Sequence, residues 1–252
     1  MGISGGALMD DIELARHLAA GAARILMDLR AAGTHEGKAL GAEGDLRANA
    51  WLMAEVAAHR PDDGVLSEET QDTPERLGKS RVWIIDPLDG TREYGEGRSD
   101  WAVHVGLAVD GTATLGAVAL PGLDLVLDSG KPQPLPPMAT PPRLLVSRTR
   151  PAHEAVEVAK VLGGELVPMG SAGAKAMAVV RGEAEIYLHS GGQYEWDNCA
   201  PVAVAAAAGL HVSRIDGSPL VYNNRDTYLP DLLICRREWA EQILAAVRKI
   251  GA

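Results

Sequence analysis

A proline-rich segment in the middle of the chain restricts the folds that are open to it. Residues 131–142 contain six prolines in twelve positions. Proline has no amide hydrogen and its φ angle is fixed, so this segment can form neither a helix nor a central strand. We therefore predict a boundary here, between an N-terminal half (1–140) and a C-terminal half (141–252). A long surface loop inside one domain is the alternative that the sequence leaves open.

The hydrophobic pattern of the N-terminal half predicts two helices followed by strands. The first helix starts at Asp10, which can form a capping box with Glu13, and ends at Gly33. The second is predicted from Asp45 to residue 59, with Leu46, Ala50, Met53 and either Val56 or Ala57 as its apolar stripe. Strands are predicted at 81–85, 101–109, 112–120 and 123–127.

The C-terminal half alternates between strands and helices. We predict strands at 143–147, 165–167 and 185–189, two more on either side of a turn at Gly217, and helices at 152–162, 171–180, 197–208 and 239–250. This alternation is typical of α/β folds. The chain as a whole is therefore predicted to be α/β (α+β).

Charge and hydropathy exclude several classes of partner. The chain has 24 basic and 34 acidic residues, a net charge of −10, which is too negative for a general nucleic-acid binder. Its longest apolar run, 200–210, is shorter than the roughly 20 residues that span a bilayer. The N-terminus lacks the basic and apolar regions of a signal peptide. We expect a cytoplasmic protein with no membrane partner, whose cysteines, Cys199 and Cys235, stay reduced.

The most informative stretch is Trp83-Ile-Ile-Asp-Pro-Leu-Asp-Gly-Thr91. An apolar strand ends here in two carboxylates, Asp86 and Asp89, and Pro87 turns the chain between them. Gly90 permits close approach by a ligand, and a helix starting at Thr91 would offer free amides to an anion. Paired carboxylates beside such a helix suit metal-assisted phosphoryl transfer. From these residues alone, an ordinary Asp-Gly turn is the alternative.

Further motifs resemble those of a known family and follow one another along the chain in the order expected for it. They are Ser67-Glu68-Glu69, the segment 167–172 and Tyr194-Glu-Trp-Asp-Asn. Together with D-P-L-D-G-T they resemble the inositol monophosphatase superfamily of lithium-sensitive, Mg²⁺-dependent phosphatases. The resemblance covers nearly the whole chain and implies a layered αβαβα sandwich.

Shorter sequence elements resemble those of one subgroup of this superfamily, the CysQ-type 3'(2'),5'-bisphosphate nucleotidases. They are Arg92-Glu93-Tyr94 after D-G-T, Ser147-Arg148, and Gly170-Ser171 followed by Lys175. The implied activity converts 3'-phosphoadenosine 5'-phosphate to AMP, and 3'-phosphoadenylyl sulfate to APS. His189 departs from the arginine that some relatives carry. An inositol monophosphatase or fructose-1,6-bisphosphatase of the same superfamily is the alternative.

The resemblance also implies roles for individual residues. Two or three Mg²⁺ ions would be held by Glu68, Asp86, the Leu88 carbonyl, Asp89 and Asp197, and Asp45 would help Glu68 to hold the third ion through water. Glu68, Thr91 and Asp45 would orient and deprotonate a metal-activated water that attacks phosphorus in line, although Asp45 could instead cap its helix. Expected substrate contacts are Gly90, Thr91, Arg148, Ser171, Lys175, His189 and Asp197. The expected partner is a small phosphorylated nucleotide, with a homodimer left open.

Three further sequence observations, on a histidine, a group of glycines and a missing nucleotide motif, have simpler interpretations. His104, inside an apolar strand, is expected to be a core histidine whose hydrogen bonds are satisfied. The glycines around 33–44 suggest a mobile loop near the site. No Gly-rich nucleotide loop of the GxxxxGK[ST] type is present, which disfavours an ATP-driven enzyme.

Overall fold

The computed structural model describes residues 9–251. The absence of a signal peptide was predicted in part from residues 1–8, which lie outside the described residues. Two long helices open the fold, α1 (Asp11–Ala32) and α2 (Gly37–His59). The predicted capping box of Asp10 and Glu13 starts α1, and Gly33 ends it with a φ of 63°.

Five strands form the first sheet, in chain order and with only the first pair parallel. They are β1 (Gly64–Ser67), β2 (Arg81–Asp89), β3 (Ala102–Val109), β4 (Thr112–Leu120) and β5 (Leu125–Asp128). The short helix α3 (Thr91–Gly95) joins β2 to β3. The sequence did not predict β1, because four residues are too few to show a clear alternation.

The second sheet has the order β7-β6-β8-β10-β9. Its strands are β6 (Arg143–Ser147), β7 (Glu165–Met169), β8 (Ile186–Tyr194), β9 (His211–Ser213) and β10 (Tyr228–Cys235). The helices between and after them are α4 (His153–Leu162), α5 (Ala172–Val180), α6 (Glu195–Ala207) and α7 (Arg237–Ile250). The predicted strands on both sides of the Gly217 turn are confirmed: β9 precedes the turn and β10, which begins at Tyr228, follows it, and the two pair antiparallel.

The elements stack in five layers. Helices α1 and α2 cover one face of the first sheet, α5 and α6 lie between the two sheets, and α4 and α7 cover the outer face of the second. Separate buried clusters fill these spaces and contain, for example, Trp83, Met177 and Ile243. The predicted α/β fold, an αβαβα sandwich, is thereby confirmed. Its division into two domains near residue 140 stays a prediction.

Two smaller expectations also find a structural answer. Both Cys199 and Cys235 are buried free thiols, as expected for reduced cysteines. Within residues 9–251, no helix combines the length and the apolar character that crossing a membrane requires.

The start and the buried face of α2 differ from the prediction. The helix begins at Gly37, so 37–44 is two helical turns and not the expected glycine-rich loop. Leu46, assigned to the apolar stripe, is 65% exposed, and Ala50 is exposed as well. The buried positions are Leu40, Gly41, Gly44, Asp45, Ala48, Leu52 and Val56. Glycines and an aspartate on the buried face hide the helical period from a hydrophobicity pattern.

Paired glycines let helix α6 pack closely on the first sheet. Gly106 on β3 and Gly116 on β4 are direct cross-strand neighbours. A Cβ atom on Gly106 would lie 2.9 Å from the Ala200 amide nitrogen, and one on Gly116 would lie 2.7 Å from the Ala200 carbonyl oxygen. Both distances are too short for a side chain, so these glycines fix the depth at which α6 sits on the sheet.

We predict that Gly116→Val destabilises the protein by about 1–3 kcal/mol, because the new side chain overpacks against the backbone of α6. Urea denaturation measures this loss as a lower midpoint. Thr114→Val, on an exposed position of the same strand, is the matched control and should stay near the wild-type midpoint. An unchanged midpoint for Gly116→Val would show that α6 can move away from the sheet at little cost.

Candidate active site

Three acidic side chains from two distant parts of the chain meet beyond the end of β2. Asp86 and Asp89 lie in the last residues of β2, where an irregularity interrupts its register with β3. Asp197 lies in the first turn of α6. One carboxylate oxygen from each of the three lies within 4.8 Å of the other two. The fold thus brings together acids that are more than a hundred residues apart.

The N-terminus of α5 fixes the orientation of Asp89. Its carboxylate accepts hydrogen bonds from the Ser171 hydroxyl, from the Gly173 amide at 2.6 Å and from the Ala172 amide at 3.1 Å. Burial alone would raise the pKa of Asp89, but the charge of His104 and these hydrogen bonds lower it to about 2. Asp89 is therefore the acid of the cluster that is most readily ionised.

The neighbouring acids repel one another. Burial, followed by the charges of Glu68 and Asp89, raises the pKa of Asp86 well above its usual value. Burial and Asp89 raise the pKa of Asp197 to about 6, and burial together with Asp197 and Asp45 raises that of Glu68 to about 8. A divalent cation would relieve this repulsion, and hard cations such as Mg²⁺ prefer carboxylate oxygens.

Asp45 lies in the middle of α2, so the interpretation of Asp45 as a helix cap is wrong. Its Oδ1 atom is buried and has no hydrogen-bond partner among residues 9–251. Burial and the charge of Glu69 raise its pKa to about 7. A buried oxygen without a partner is a position that a bound ion or water can satisfy. This observation fits the further metal-holding role that the resemblance implied.

Thr91 begins α3 beside Asp45. A Cβ atom on Gly41 would lie 2.6 Å from Thr91 Cγ2, so the glycine lets α2 lie directly against this residue. The Thr91 hydroxyl donates to the Leu88 carbonyl oxygen at 3.1 Å, which leaves its own oxygen free to accept. Gly90 precedes it with a φ of 88°, a left-handed conformation that favours glycine.

A cleft of about 520 Å³ adjoins the acidic cluster. Six of the seven predicted substrate contacts line it, namely Gly90, Arg148, Ser171, Lys175, His189 and Asp197. The seventh, Thr91, borders a separate cavity of about 460 Å³ together with Asp45. The sequence did not single out Arg150, Tyr187 and Gln193, which also line the cleft. They stand in no motif, and only the fold brings them here.

Lys175 is a buried cation beside the acids. It is 5% exposed, and its Nζ atom donates to the carbonyl oxygens of Gly170, at 3.3 Å, and Ser171. The ammonium group also lies 5.2 Å from the centre of the Tyr187 ring. Burial lowers its pKa, and the charge of Asp89 opposes that effect. Two carbonyls leave one ammonium hydrogen for a ligand in the cleft.

His189 and Arg148 are already engaged by protein groups. The Nε2 atom of His189 donates to the Gly192 carbonyl at 3.0 Å, and burial lowers its pKa, so the neutral ring keeps Nδ1 as an acceptor. Arg148 pairs with Glu93 at 2.5 Å and with Glu96 at 3.1 Å. This pairing was not predicted from the sequence.

The interpretation of His104 as a satisfied core residue was incomplete. The side chain is fully buried, and its Nδ1 atom donates to the Trp196 carbonyl at 3.0 Å. However, its Nε2 atom lies 3.2 Å from Asp89 Oδ2. Its position opposite Asp86 in the β2–β3 register explains the contact, and the sequence alone does not show that register.

Comparison with known proteins agrees with this geometry. The sequence model of the inositol monophosphatase family matches residues 9–133 and 140–252. The chain belongs to this family. The family predicted from the sequence is thus confirmed.

Individual members of the family resemble the chain over most of its length. A Mycobacterium leprae protein named 3'-phosphoadenosine 5'-phosphate phosphatase is 45% identical over an alignment 260 positions long. The alignment covers 96% of this chain and 95% of that protein. A Mycobacterium bovis protein of the same name is 47% identical over 240 residues, 90% of this chain and 89% of that protein. The crystal structure of CysQ from Bacteroides thetaiotaomicron shares the fold, with a TM-score of 0.80 over 92% of this chain and 98% of that chain at 21% identity.

We predict that Mg²⁺ raises the melting temperature more at pH 8 than at pH 5.5. The raised pKa values of Asp45, Glu68 and Asp197 mean that the folded state holds protons which the unfolded state has lost above about pH 5. The metal-free protein therefore loses stability as the pH rises towards 8. Bound Mg²⁺ offsets this loss of stability. Each 1 kcal/mol regained in the free energy of unfolding raises Tm by roughly 2–4 °C.

Thermal unfolding with and without Mg²⁺ at both pH values tests this expectation. Sodium chloride at matched ionic strength is the control for screening. Equal Mg²⁺-induced shifts at the two pH values would show that these carboxyls do not bind the ion.

Proposed function

We propose that the chain removes the 3'-phosphate of 3'-phosphoadenosine 5'-phosphate by hydrolysis, giving AMP and inorganic phosphate. We propose 3'-phosphoadenylyl sulfate as a second substrate, which would give APS. The observation that carries the proposal is an acidic cluster beside a cleft that also contains a separate buried cation, Lys175. A substrate with two anionic groups matches both features. The names of the mycobacterial relatives support the same activity.

The acidic cluster is proposed to hold two or three Mg²⁺ ions. The proposed ligands are Glu68, Asp86, the Leu88 carbonyl, Asp89 and Asp197, with Asp45 helping to hold the third ion. When bound, the ions would offset the negative charge of the phosphate and lower the pKa of a water molecule. The all-oxygen donor set and the mutual repulsion of the acids favour such ions.

The protein residues are proposed to orient the water and take its proton. Glu68 and the Thr91 hydroxyl hold the attacking water, and Asp45 assists from α2. Because the hydrogen of the Thr91 hydroxyl is donated to the Leu88 carbonyl, its oxygen can accept one from the water. The water then attacks phosphorus in line, the bond to the ribose 3'-oxygen breaks, and that oxygen takes up a proton. Gly90 and the first amides of α3 hold the transferred phosphate.

The remaining contacts are proposed to recognise the rest of the nucleotide. Lys175 binds the second phosphate with the ammonium hydrogen that its two carbonyl partners leave free. His189 offers an acceptor at Nδ1, which suits an amino or hydroxyl donor of the nucleoside rather than a phosphate. Ser171 and Arg148 complete the wall of the cleft.

The substrate preference tests the proposed activity. We expect kcat/KM for 3'-phosphoadenosine 5'-phosphate to exceed that for inositol 1-phosphate at least about tenfold, because one charge-assisted contact contributes about 1.5–3 kcal/mol. Phosphate release in Mg²⁺ from both compounds, and from fructose 1,6-bisphosphate, measures this. A preference for the inositol ester or the sugar bisphosphate would instead support the alternative within the family.

A second prediction concerns Lys175→Met, which removes the charge and keeps an apolar stem. We expect kcat/KM for 3'-phosphoadenosine 5'-phosphate to fall about 10- to 100-fold, because the second phosphate loses a charged donor. The value for 3'-AMP, which has no second phosphate, should change little. Lys160→Met, at a side chain that is 67% exposed, is the control. Equal losses on both substrates would place Lys175 at the transferred phosphate or in the fold.

A further inference from the structure

His104 contacts three segments that carry or support the acidic cluster. Its Nδ1 atom lies 3.0 Å from the Trp196 carbonyl oxygen, and since a carbonyl only accepts, this nitrogen carries a hydrogen and donates it. Trp196 directly precedes Asp197 in the first turn of α6. The ring is therefore hydrogen-bonded to the backbone directly before Asp197.

The opposite side of the ring faces Asp89. Nε2 lies in direct contact with the Asp89 carboxylate, 3.2 Å from Oδ2, but off the line of a hydrogen bond. A Cβ atom on Gly173 would overlap Nε2, so the ring also packs directly on α5. Gly173 itself donates to Asp89 Oδ2 at 2.6 Å. The end of β2 and the starts of α5 and α6 thus meet around one fully buried side chain.

We propose that His104 is a positioning residue that sets the distance between Asp89 and Asp197, and hence the fit of the acidic cluster to its metal ions. It touches neither the substrate nor the reacting atoms. It acts through Asp89 on one side and through the Trp196 backbone on the other. The inference rests on the proposed metal-dependent function and deepens it. Residues that orient metal ligands typically change metal affinity or activity about 10- to 100-fold when they are replaced.

Two substitutions separate the two contacts of the ring. The amide nitrogen of asparagine can take the position of Nδ1, so His104→Asn keeps the bond to Trp196 and loses the contact with Asp89. The longer glutamine places its amide nitrogen near Nε2, so His104→Gln keeps a donor towards Asp89. We expect His104→Asn to raise the Mg²⁺ concentration for half-maximal phosphate release by about 10- to 100-fold, with the substrate KM unchanged. His104→Gln should lie closer to the wild type.

Mn²⁺ binding without substrate, followed by electron paramagnetic resonance, gives a readout that does not depend on turnover. The two variants should follow the same order in Mn²⁺ affinity. Val105→Ala, a buried neighbour on the opposite face of β3, is the matched control, and it should lower the melting temperature while leaving metal affinity unchanged.

The outcomes separate this inference from the proposed function. Wild-type Mn²⁺ affinity in a folded His104→Asn would overturn the inference, as would an equal loss of affinity in Val105→Ala. If the wild type released no phosphate while Mn²⁺ affinity still followed the expected order, the proposed function would fail and the positioning role would stand.

Discussion

Repulsion among carboxylates that the fold packs at the end of β2 is the constraint around which the site is arranged. Asp86, Asp89 and Asp197 cannot all be ionised at this separation without a cation, and their pKa values separate accordingly. Hydrogen bonds from the start of α5 keep Asp89 charged, while Asp86 and Asp197 hold protons more strongly. A ligand that binds only the folded state stabilises it, so a cation that offsets this repulsion would also stabilise the fold.

Small residues make this convergence possible. Gly106 and Gly116 let α6 reach the depth at which Asp197 meets the acids of β2, and Gly41 lets α2 place Asp45 beside Thr91. Gly173 leaves room for the His104 ring under Asp89. In each case a side chain would push away the element that carries a functional residue. Gly41, which the sequence suggested to be part of a mobile loop, is here a close contact between two helices.

The sequence predicted what is local and missed what depends on register. The D-P-L-D-G-T motif lies on one strand and its turn, so Asp86 and Asp89 could be recognised directly. The alternation of helices and strands predicted the α/β class, and the family resemblance implied the layered sandwich. The predicted buried face of α2 was wrong, because Gly44 and Asp45 point into the protein and Leu46 points to solvent. The role of His104 depends on its position opposite Asp86 across two strands, which no spacing along the chain reveals.

The cations of the cleft differ in how far they are free to meet a substrate. Arg148 already has two carboxylate partners, Glu93 and Glu96, and a phosphate would have to compete with both of them. Lys175 donates to two carbonyl oxygens and feels the charge of Asp89 without a hydrogen bond to it, so an incoming phosphate would be the first anion bonded to the ammonium group. A buried charge without an anionic partner gains more from a ligand than one that is already paired. This difference favours Lys175 over Arg148 for the proposed contact with the second phosphate, whereas Arg148 holds α3 against the end of β6.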